Sequence, residues 1–270
     1  MQLIELRGCP ICTSNATVTV TSAVPTLCRE SGHTTELRAC KECLHWWHSP
    51  VPDQATLCSM YASASPYVVG TELPRPSRRS KSNDLFDEFA LRIIRQIGSG
   101  AYLEIGAGTG RMLSQVEHLG FECYGVDPGQ WAANAAIRRD LSDLPRETVF
   151  DVFLLKDVIE HLFDPVDLLS RLRERARSRA ILLASFPCSE SLPARRLGTR
   201  WNMIRPYGHL HYFSRLSAMR LLDRAGWKAT DLRLSRTVPL RRLLAGLHLR
   251  SFARELLDGG ADQLHVYGSV

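Results

Sequence analysis

The sequence lacks any run of about 18 consecutive apolar residues, the length that a membrane-spanning helix needs. Its opening residues, MQLIELRGCP, also lack the apolar segment of a secretory signal peptide. We therefore expect a cytoplasmic protein with no membrane partner. Thiols stay reduced in that compartment, so the eight cysteines are expected to bind metal or stay free rather than form disulfides.

An excess of acidic residues is also missing, because 34 Lys and Arg residues outnumber 28 Asp and Glu residues and give a net charge of +6. The run RLRERARSR at 171–179 alternates around the predicted end of a helix, which is typical of a solvated face. A second basic group surrounds Trp201 and consists of Arg195, Arg196, Arg200 and Arg205. Guanidinium groups bind phosphate oxygens in bidentate fashion, so this group indicates either a phosphate-bearing ligand or plain surface solubility.

Two CxxC pairs stand near the N-terminus, Cys9 with Cys12 and Cys40 with Cys43. Each pair of thiolates can occupy two corners of a tetrahedral zinc site. The 27 residues between the pairs exceed the usual gap, but a longer loop adds little closure entropy. We predict a zinc ribbon in which these four cysteines bind Zn²⁺. The alternatives are a redox dithiol, disulfides, or a site in which Cys28 or His33 replaces one ligand.

The segment AYLEIGAGTGRMLSQVEHLGFECYGVDP at 101–128 has the pattern of a strand, a glycine turn, a helix and a second strand. Its first strand is apolar on both faces, as in a parallel sheet covered by helices. Gly106, Gly108 and Gly110 allow a tight turn and a close approach of the backbone to a ligand. Asp127 ends the second strand, where a carboxylate can accept hydrogen bonds from both hydroxyls of a ribose. The segment predicts a nucleotide-cofactor site.

The spacing of the glycines argues against a dinucleotide, because the third glycine of GxGxxG would fall at Arg111. The pattern is instead ExGxGxG, and it resembles motif I of the class I S-adenosylmethionine-dependent methyltransferases. That resemblance implies that the glycine turn, including Ala107, passes under the methionine moiety, which Glu104 orders. It also implies that Asp127, followed by Pro128, holds the ribose.

A second segment, FDVFLLKDVIEHLFDP from Phe150 to Pro165, is similar to the strand-four signature of the methyltransferases that include ubiquinone-type O-methyltransferases and sugar methyltransferases. The resemblance covers about 85–270 and places Lys156 among the cofactor-binding residues. It implies an α/β fold with a Rossmann-like, doubly wound sheet. A leading amphipathic helix is expected from Leu85, and Gly98 is expected to end it. Another helix is expected to start at Asp164 and Pro165.

One stretch departs from the family pattern. Asp140 comes only thirteen positions after Asp127, where the family fits a helix and a third strand. Either the helix or the strand is therefore expected to be nearly lost. Asp140 is predicted either to accept a hydrogen bond from the adenine amino group or to be a surface acid.

The chain is long enough for one large core plus a metal-stapled module, which is too small to fold securely alone. After the second CxxC pair, LHWWHSPVP and YASASPY resemble the connection in methyltransferases that carry an N-terminal zinc ribbon. We predict a zinc-ribbon module at 1–69, a linker at 70–83 and a methyltransferase domain at 84–270. The large aromatic residues of this connection are expected to pack the two modules together or to line the mouth of the site: Trp46, Trp47, Tyr61 and Tyr67.

A general base should titrate near neutrality, which favours histidine. The candidates are His161 in IEHL and His211 in GHLHYFS, with His209, Glu160 and Tyr207 as polar neighbours. His161 follows the strand-four carboxyl end, where open α/β sheets bind ligands.

We expect an enzyme that methylates an oxygen or carbon of a small molecule, for example a phosphate-bearing sugar nucleotide or a natural-product intermediate. One alternative is a zinc-containing RNA methyltransferase, whose binding of polynucleotide would depend strongly on salt. An NPPY-type signature for amino methylation is absent, since KDVIEH stands after strand four. The other alternative is a non-catalytic protein that keeps the fold.

Overall fold

The structure is a computed structural model that describes residues 2–25, 34–63, 85–129, 136–204, 208–235 and 263–270. The described residues of the N-terminal part form five strands and one helix: β1 (Leu3–Ile4), β2 (Thr17–Pro25), β3 (Thr34–Cys40), β4 (Trp46–Ser49), β5 (Val51–Pro52) and α1 (Gln54–Ser63). None of the described helices is both long enough and apolar enough to span a membrane.

The rest of the described chain alternates helices and strands, as the sequence predicts. In order these are α2 (Leu85–Ile97), β6 (Ala101–Ile105), α3 (Arg111–Glu117), β7 (Glu122–Val126), β8 (Ile137–Arg138), β9 (Phe150–Lys156), α4 (Pro165–Glu174), β10 (Ala176–Pro187), α5 (Leu192–Leu197), β11 (His211–Tyr212), α6 (Arg215–Arg224), β12 (Lys228–Ser235) and β13 (Gln263–Ser269).

A central sheet of seven strands has the order β12-β13-β10-β9-β6-β7-β8. The five strands β10, β9, β6, β7 and β8 are parallel to one another, and β13 is antiparallel to both β10 and β12. Successive residues of β9 face opposite sides, so Val152 and Leu154 pack with α2 and α3, whereas Phe153 and Leu155 pack with α4 and α6. This is the doubly wound α/β architecture expected from the sequence.

Local signals account for several helix boundaries. Asp164 caps α4 by accepting hydrogen bonds from the backbone N–H groups of Val166 and Asp167, and Pro165 follows at the first helical position. Gly98 comes directly after α2 with φ +89°, a left-handed conformation that glycine adopts without strain. Both boundaries agree with the sequence prediction.

The shortened segment after Asp127 keeps only a two-residue third strand. β8 pairs in parallel with the end of β7, through Gly125 with Ile137 and Val126 with Arg138. Asp140 then caps a 3₁₀ turn over Leu141–Asp143. The third strand is therefore the element that is nearly lost, while the expected helix falls mainly on residues 130–135, outside the described residues.

The N-terminal sheet has the order β11-β4-β3-β2 and includes one strand, β11, from the later part of the chain. His211 pairs with Trp47, and Tyr212 pairs with Trp46. A strand of the predicted methyltransferase domain thus completes the sheet of the predicted zinc module. The predicted linker at 70–83 lies outside the described residues.

Buried aromatic residues pack the two parts against each other. Trp201 lies in a cluster with Leu37 of β3 and Tyr212 of β11. Trp47 is fully buried and its indole N–H donates to the Leu6 carbonyl at 3.3 Å. Of the aromatic residues expected either to pack or to line a site, Trp47 therefore packs, and Tyr67 lies outside the described residues.

Candidate active site and metal centre

The glycine turn follows β6 at the carboxyl edge of the central sheet. The N–H groups of Gly106 and Ala107 both donate to the Val126 carbonyl, at 2.7 and 3.2 Å. Gly106 has φ +73°, and a Cβ at this position would lie 2.4 Å from Cγ2 of Val158. Gly108 and Gly110 also have positive φ, at +54° and +79°. The turn is therefore built from glycine backbone in left-handed conformations and packs against the side chain of Val158.

Asp127 holds this turn in place from the end of β7. Its carboxylate is 5% exposed and accepts from the N–H of Gly108 at 2.7 Å and from the N–H of Gly129 at 2.8 Å. Each carboxylate oxygen can accept more than one hydrogen bond, so Asp127 keeps capacity for hydroxyl donors of a ligand. Pro128 is exposed beside it.

Glu104 lies on β6, just before the turn, and is 6% exposed. Within the part of the chain that the structure describes, its Oε2 has no hydrogen-bond partner. Burial raises the pKa of this carboxyl to about 8. The nearby Tyr102 hydroxyl, Lys156 and Arg111 oppose the rise, whereas the Asp87 carboxylate adds to it. A buried carboxyl oxygen without a donor fits a ligand that brings ammonium or hydroxyl donors, which S-adenosylmethionine carries.

Asp87 and Arg111 are site residues that the sequence analysis missed. Asp87 lies on α2 and binds both Lys156, with Nζ to Oδ1 at 2.9 Å, and the Arg111 guanidinium. The signal was available, because Asp87 falls with Ala90 and Ile94 on the buried i, i+3, i+7 stripe of α2. The predicted Lys156 is thus held at the turn by a carboxylate from the leading helix.

Asp140 lies apart from this group. Its side chain is 62% exposed, and Oδ1 accepts from both the N–H and the hydroxyl of Ser142. Its two predicted roles were an adenine acceptor and a surface acid. The cap and the exposure are those of a surface acid, and the adenine contact stays a prediction.

A second polar group lies where β9 ends, next to the glycine turn. Glu160 is 1% exposed, and among the described residues neither of its carboxylate oxygens has a hydrogen-bond partner. Burial raises its pKa well above the usual range, and Asp157 adds to that effect. His161 packs edge-on against His209, with ring centroids 4.8 Å apart.

The N-terminal part contributes to this second group. The hydroxyl oxygen of Tyr61, on α1, lies 3.0 Å from Nδ1 of His161. The same nitrogen contacts the Gly208 carbonyl. Tyr61, one of the aromatic residues expected either to pack the modules or to line the site mouth, therefore touches a predicted catalytic residue.

The other predicted base, His211, lies elsewhere and is fully buried. Its Nε2 donates to the Leu162 carbonyl at 3.0 Å, so its Nδ1 accepts from Nε2 of His45 at 3.1 Å. Burial lowers the pKa of His211 to about 4. Both ring nitrogens are thus engaged within the protein, where His211 packs between the two sheets, and its role as a base stays a prediction.

The four predicted metal ligands come together. The sulfur atoms of Cys9, Cys12, Cys40 and Cys43 lie within 4.8 Å of one another, and the pairs Cys9–Cys43 and Cys12–Cys40 are each 3.5 Å apart. Sulfurs bound to one tetrahedral zinc stand about 3.8 Å apart, whereas disulfide sulfurs stand about 2.05 Å apart. The arrangement fits a zinc ion. Cys28 and His33, the alternative ligands, lie outside the described residues.

Helix α6 holds both cysteine loops from the methyltransferase side. The Arg224 guanidinium donates to the Pro10 carbonyl at 3.0 Å and to the Ile11 carbonyl. The Ser214 hydroxyl donates to the Cys43 carbonyl at 2.7 Å. The cysteine centre is therefore anchored on the catalytic fold.

The basic segment has its arginines and its tryptophan in different environments. Arg195, Arg196 and Arg200 are exposed, whereas Trp201 is buried against the N-terminal sheet. Arg205 lies outside the described residues. The phosphate-binding role stays a prediction.

The parallel sheet and the glycine turn define a class I S-adenosylmethionine-dependent methyltransferase. The family model described as "Methyltransferase domain" matches residues 77–232, and the chain belongs to this family. A comparison with curated proteins gave no match.

Many solved structures are similar to this chain, and two of them illustrate the similarity in fold. The 1,6-didemethyltoxoflavin-N1-methyltransferase of Burkholderia thailandensis, with bound 1,6-didemethyltoxoflavin and S-adenosylhomocysteine, has 15% identity, a TM-score of 0.54 and coverage of 88% of this chain and 96% of its own. An S-adenosylmethionine-dependent methyltransferase of Mesorhizobium loti has 17% identity, a TM-score of 0.50 and coverage of 68% and 98%.

Proposed function

We propose that this protein methylates an oxygen or carbon of a small-molecule acceptor at the edge of the sheet where β6, β7 and β9 end. The observation that carries the proposal is the glycine turn, in which the Gly108 N–H donates to the Asp127 carboxylate. Beside it, Oε2 of the buried Glu104 has no donor among the described residues. A small acceptor is consistent with the similar Burkholderia enzyme, whose structure contains the small molecule 1,6-didemethyltoxoflavin.

The residues of the turn would hold S-adenosylmethionine, which supplies an electrophilic methyl carbon on a sulfonium sulfur. Gly106, Ala107, Gly108 and Gly110 would let the backbone approach the methionine moiety closely. Glu104 would accept hydrogen bonds from that moiety, and Asp127 would accept from the ribose hydroxyls. Lys156 would keep the turn closed through its ion pair with Asp87.

Acceleration of methyl transfer depends mainly on holding the acceptor in line with the methyl carbon. Val158, whose side chain contacts the glycine turn, comes directly before the 3₁₀ turn that contains Glu160 and His161. His161 is the only one of the two predicted bases on this turn, and its side chain is partly exposed. We propose that His161 acts on the acceptor atom, either as its base or as the ligand of a cation that binds it.

The Cys9, Cys12, Cys40 and Cys43 centre is proposed to hold one structural zinc ion. Its contacts through Arg224 and Ser214 support the view that the zinc module and the methyltransferase domain work as one unit. The predicted division at 1–69 and 84–270 is kept as a proposal about folding, with β11 as the shared strand.

A screen of small hydroxylated and phosphate-bearing acceptors, read as release of S-adenosylhomocysteine, tests this function. We expect His161→Ala to lower the single-turnover rate by about 10² to 10⁴ while leaving cofactor affinity nearly unchanged. The matched control is His118→Ala, an exposed histidine at the end of α3. Methylation of polynucleotide with strongly salt-dependent binding, and of no small acceptor, would support the RNA alternative instead.

A further inference from the structure

A second cluster of potential metal ligands lies apart from the four cysteines. It consists of Glu160, His161 and His209, each of which offers one ligand atom within 4.8 Å of the others. Glu160 and His161 come from the turn after β9, and His209 comes from the segment before β11. The fold therefore brings together residues nearly fifty positions apart in the sequence.

The hydrogen bonds of the two imidazoles favour the form that binds metal. Nδ1 of His209 lies 2.9 Å from the Met203 carbonyl, and Nδ1 of His161 contacts the Gly208 carbonyl. A carbonyl oxygen only accepts, so each Nδ1 carries a proton, and in the neutral imidazole each Nε2 then carries the lone pair. Ligating histidines show this same arrangement, with the second nitrogen bound to a carbonyl.

Glu160 supplies an independent observation. It is 1% exposed, and neither carboxylate oxygen has a hydrogen-bond partner within the described parts of the chain. Oε1 of Glu160 lies 4.0 Å from Nε2 of His161, which is too far for a hydrogen bond. A buried carboxyl group whose oxygens have no donor among the described residues is stabilised when a cation binds those oxygens.

We propose that Glu160, His161 and His209 form a second metal site, which binds a divalent cation that accepts mixed nitrogen and oxygen ligands, of the Zn²⁺ type. Tetrahedral ligands of such an ion stand about 3.4 Å apart, so the 4.0 Å separation of Glu160 and His161 closes with a shift of roughly 0.6 Å. Three ligands from the described residues would leave a fourth position for a further ligand, as in catalytic zinc sites.

This site deepens the proposed function and rests on it. The open position would take the acceptor oxygen, and the cation would lower the pKa of that hydroxyl. The proton would then leave to solvent, and the oxygen would attack the methyl carbon with its electron pair while the carbon–sulfur bond breaks and S-adenosylhomocysteine leaves. No free imidazole base is needed. His161 would act as a ligand in this arrangement.

The test uses full-length protein whose cysteine centre is first loaded with one equivalent of Zn²⁺ and then titrated with Co²⁺. We expect one further equivalent of Co²⁺ to bind, with a visible spectrum that lacks thiolate charge transfer. Glu160→Gln should weaken this binding at least about tenfold. Glu147→Gln, an exposed carboxylate elsewhere, should leave it unchanged.

His161→Asn is the second variant, because its partly exposed position makes misfolding less of a concern than at the buried Glu160. It should also weaken Co²⁺ binding at least about tenfold. Absence of a second equivalent in the wild type, or equal Co²⁺ affinity in the wild type and His161→Asn, would overturn the site. If the protein methylates an acceptor at full rate after chelation of the second metal, the cation has no catalytic role and His161 as base replaces it. If the second equivalent binds but no acceptor is methylated, the metal site stands and the proposed function fails.

Discussion

Replacing Gly106 by Ala tests the close approach between the glycine turn and the loop after β9, which contains Val158. Two costs add. The backbone stands at φ +73°, where a residue with a Cβ costs about 1 to 2 kcal/mol. The new Cβ would also lie 2.4 Å from Cγ2 of Val158, and such overpacking costs about 1 to 3 kcal/mol. We expect Gly106→Ala to lower the free energy of unfolding by about 2 to 5 kcal/mol.

Gly98→Ala separates the two costs. Gly98 has a similar φ of +89°, but a Cβ there meets nothing within 4 Å. This control should lose only the backbone cost of about 1 to 2 kcal/mol. Val158→Ala removes the methyl carbon that the new Cβ at position 106 would strike, so combining it with Gly106→Ala should restore about 1 to 3 kcal/mol relative to additivity.

The assay is urea unfolding followed by circular dichroism, with the four variants compared at one pH. The reasoning is refuted if Gly106→Ala costs no more than Gly98→Ala and shows no coupling to Val158→Ala. In that case the glycine turn and the loop after β9 would not be in contact.

Two further predictions concern the N-terminal part. Burial lowers the pKa of His48 to about 3. Below about pH 6.5 the unfolded chain therefore binds a proton at His48 that the folded chain does not bind. Stability should therefore fall with decreasing pH from about 6.5 downward, by up to about 1.4 kcal/mol per pH unit from this group, and His48→Gln should reduce that slope in urea unfolding at pH 7 and 5.5. Equal slopes would contradict it. The Cys40→Ser, Cys43→Ser double variant should abolish the cobalt–thiolate absorption of Co²⁺-loaded protein, and the exposed Cys58→Ser should keep it; absorption retained in the double variant would rule out the cysteine centre.

The sequence predicted the elements whose signals are local. The strand before Gly106, the cap at Asp164 and the stop at Gly98 each depend on residues within a few positions of one another. The clustering of the four cysteines was also predictable, because the CxxC spacing already pairs them.

The contacts between distant segments were not predictable in the same way. The pairing of Trp47 with His211 joins residues far apart in the chain, and no periodicity marks a two-residue strand. For the same reason the sequence did not separate His161 from His211, since only the fold buries one of them. Asp87 was missed although its position on the buried face of α2 was a usable signal.

The central claim is that the turn at 104–110 and Asp127 bind S-adenosylmethionine. Calorimetric titration with the cofactor tests it directly, with Asp231→Ala on β12 as a matched control. Asp127→Ala would lose the two proposed hydrogen bonds from the ribose hydroxyls to the carboxylate, each worth roughly 1.5 to 3 kcal/mol. This variant should therefore bind the cofactor at least about tenfold more weakly than the wild type. Asp127→Asn, which keeps an acceptor oxygen for the turn, should weaken binding less. Cofactor affinity in Asp127→Ala equal to that of the wild type would contradict the account.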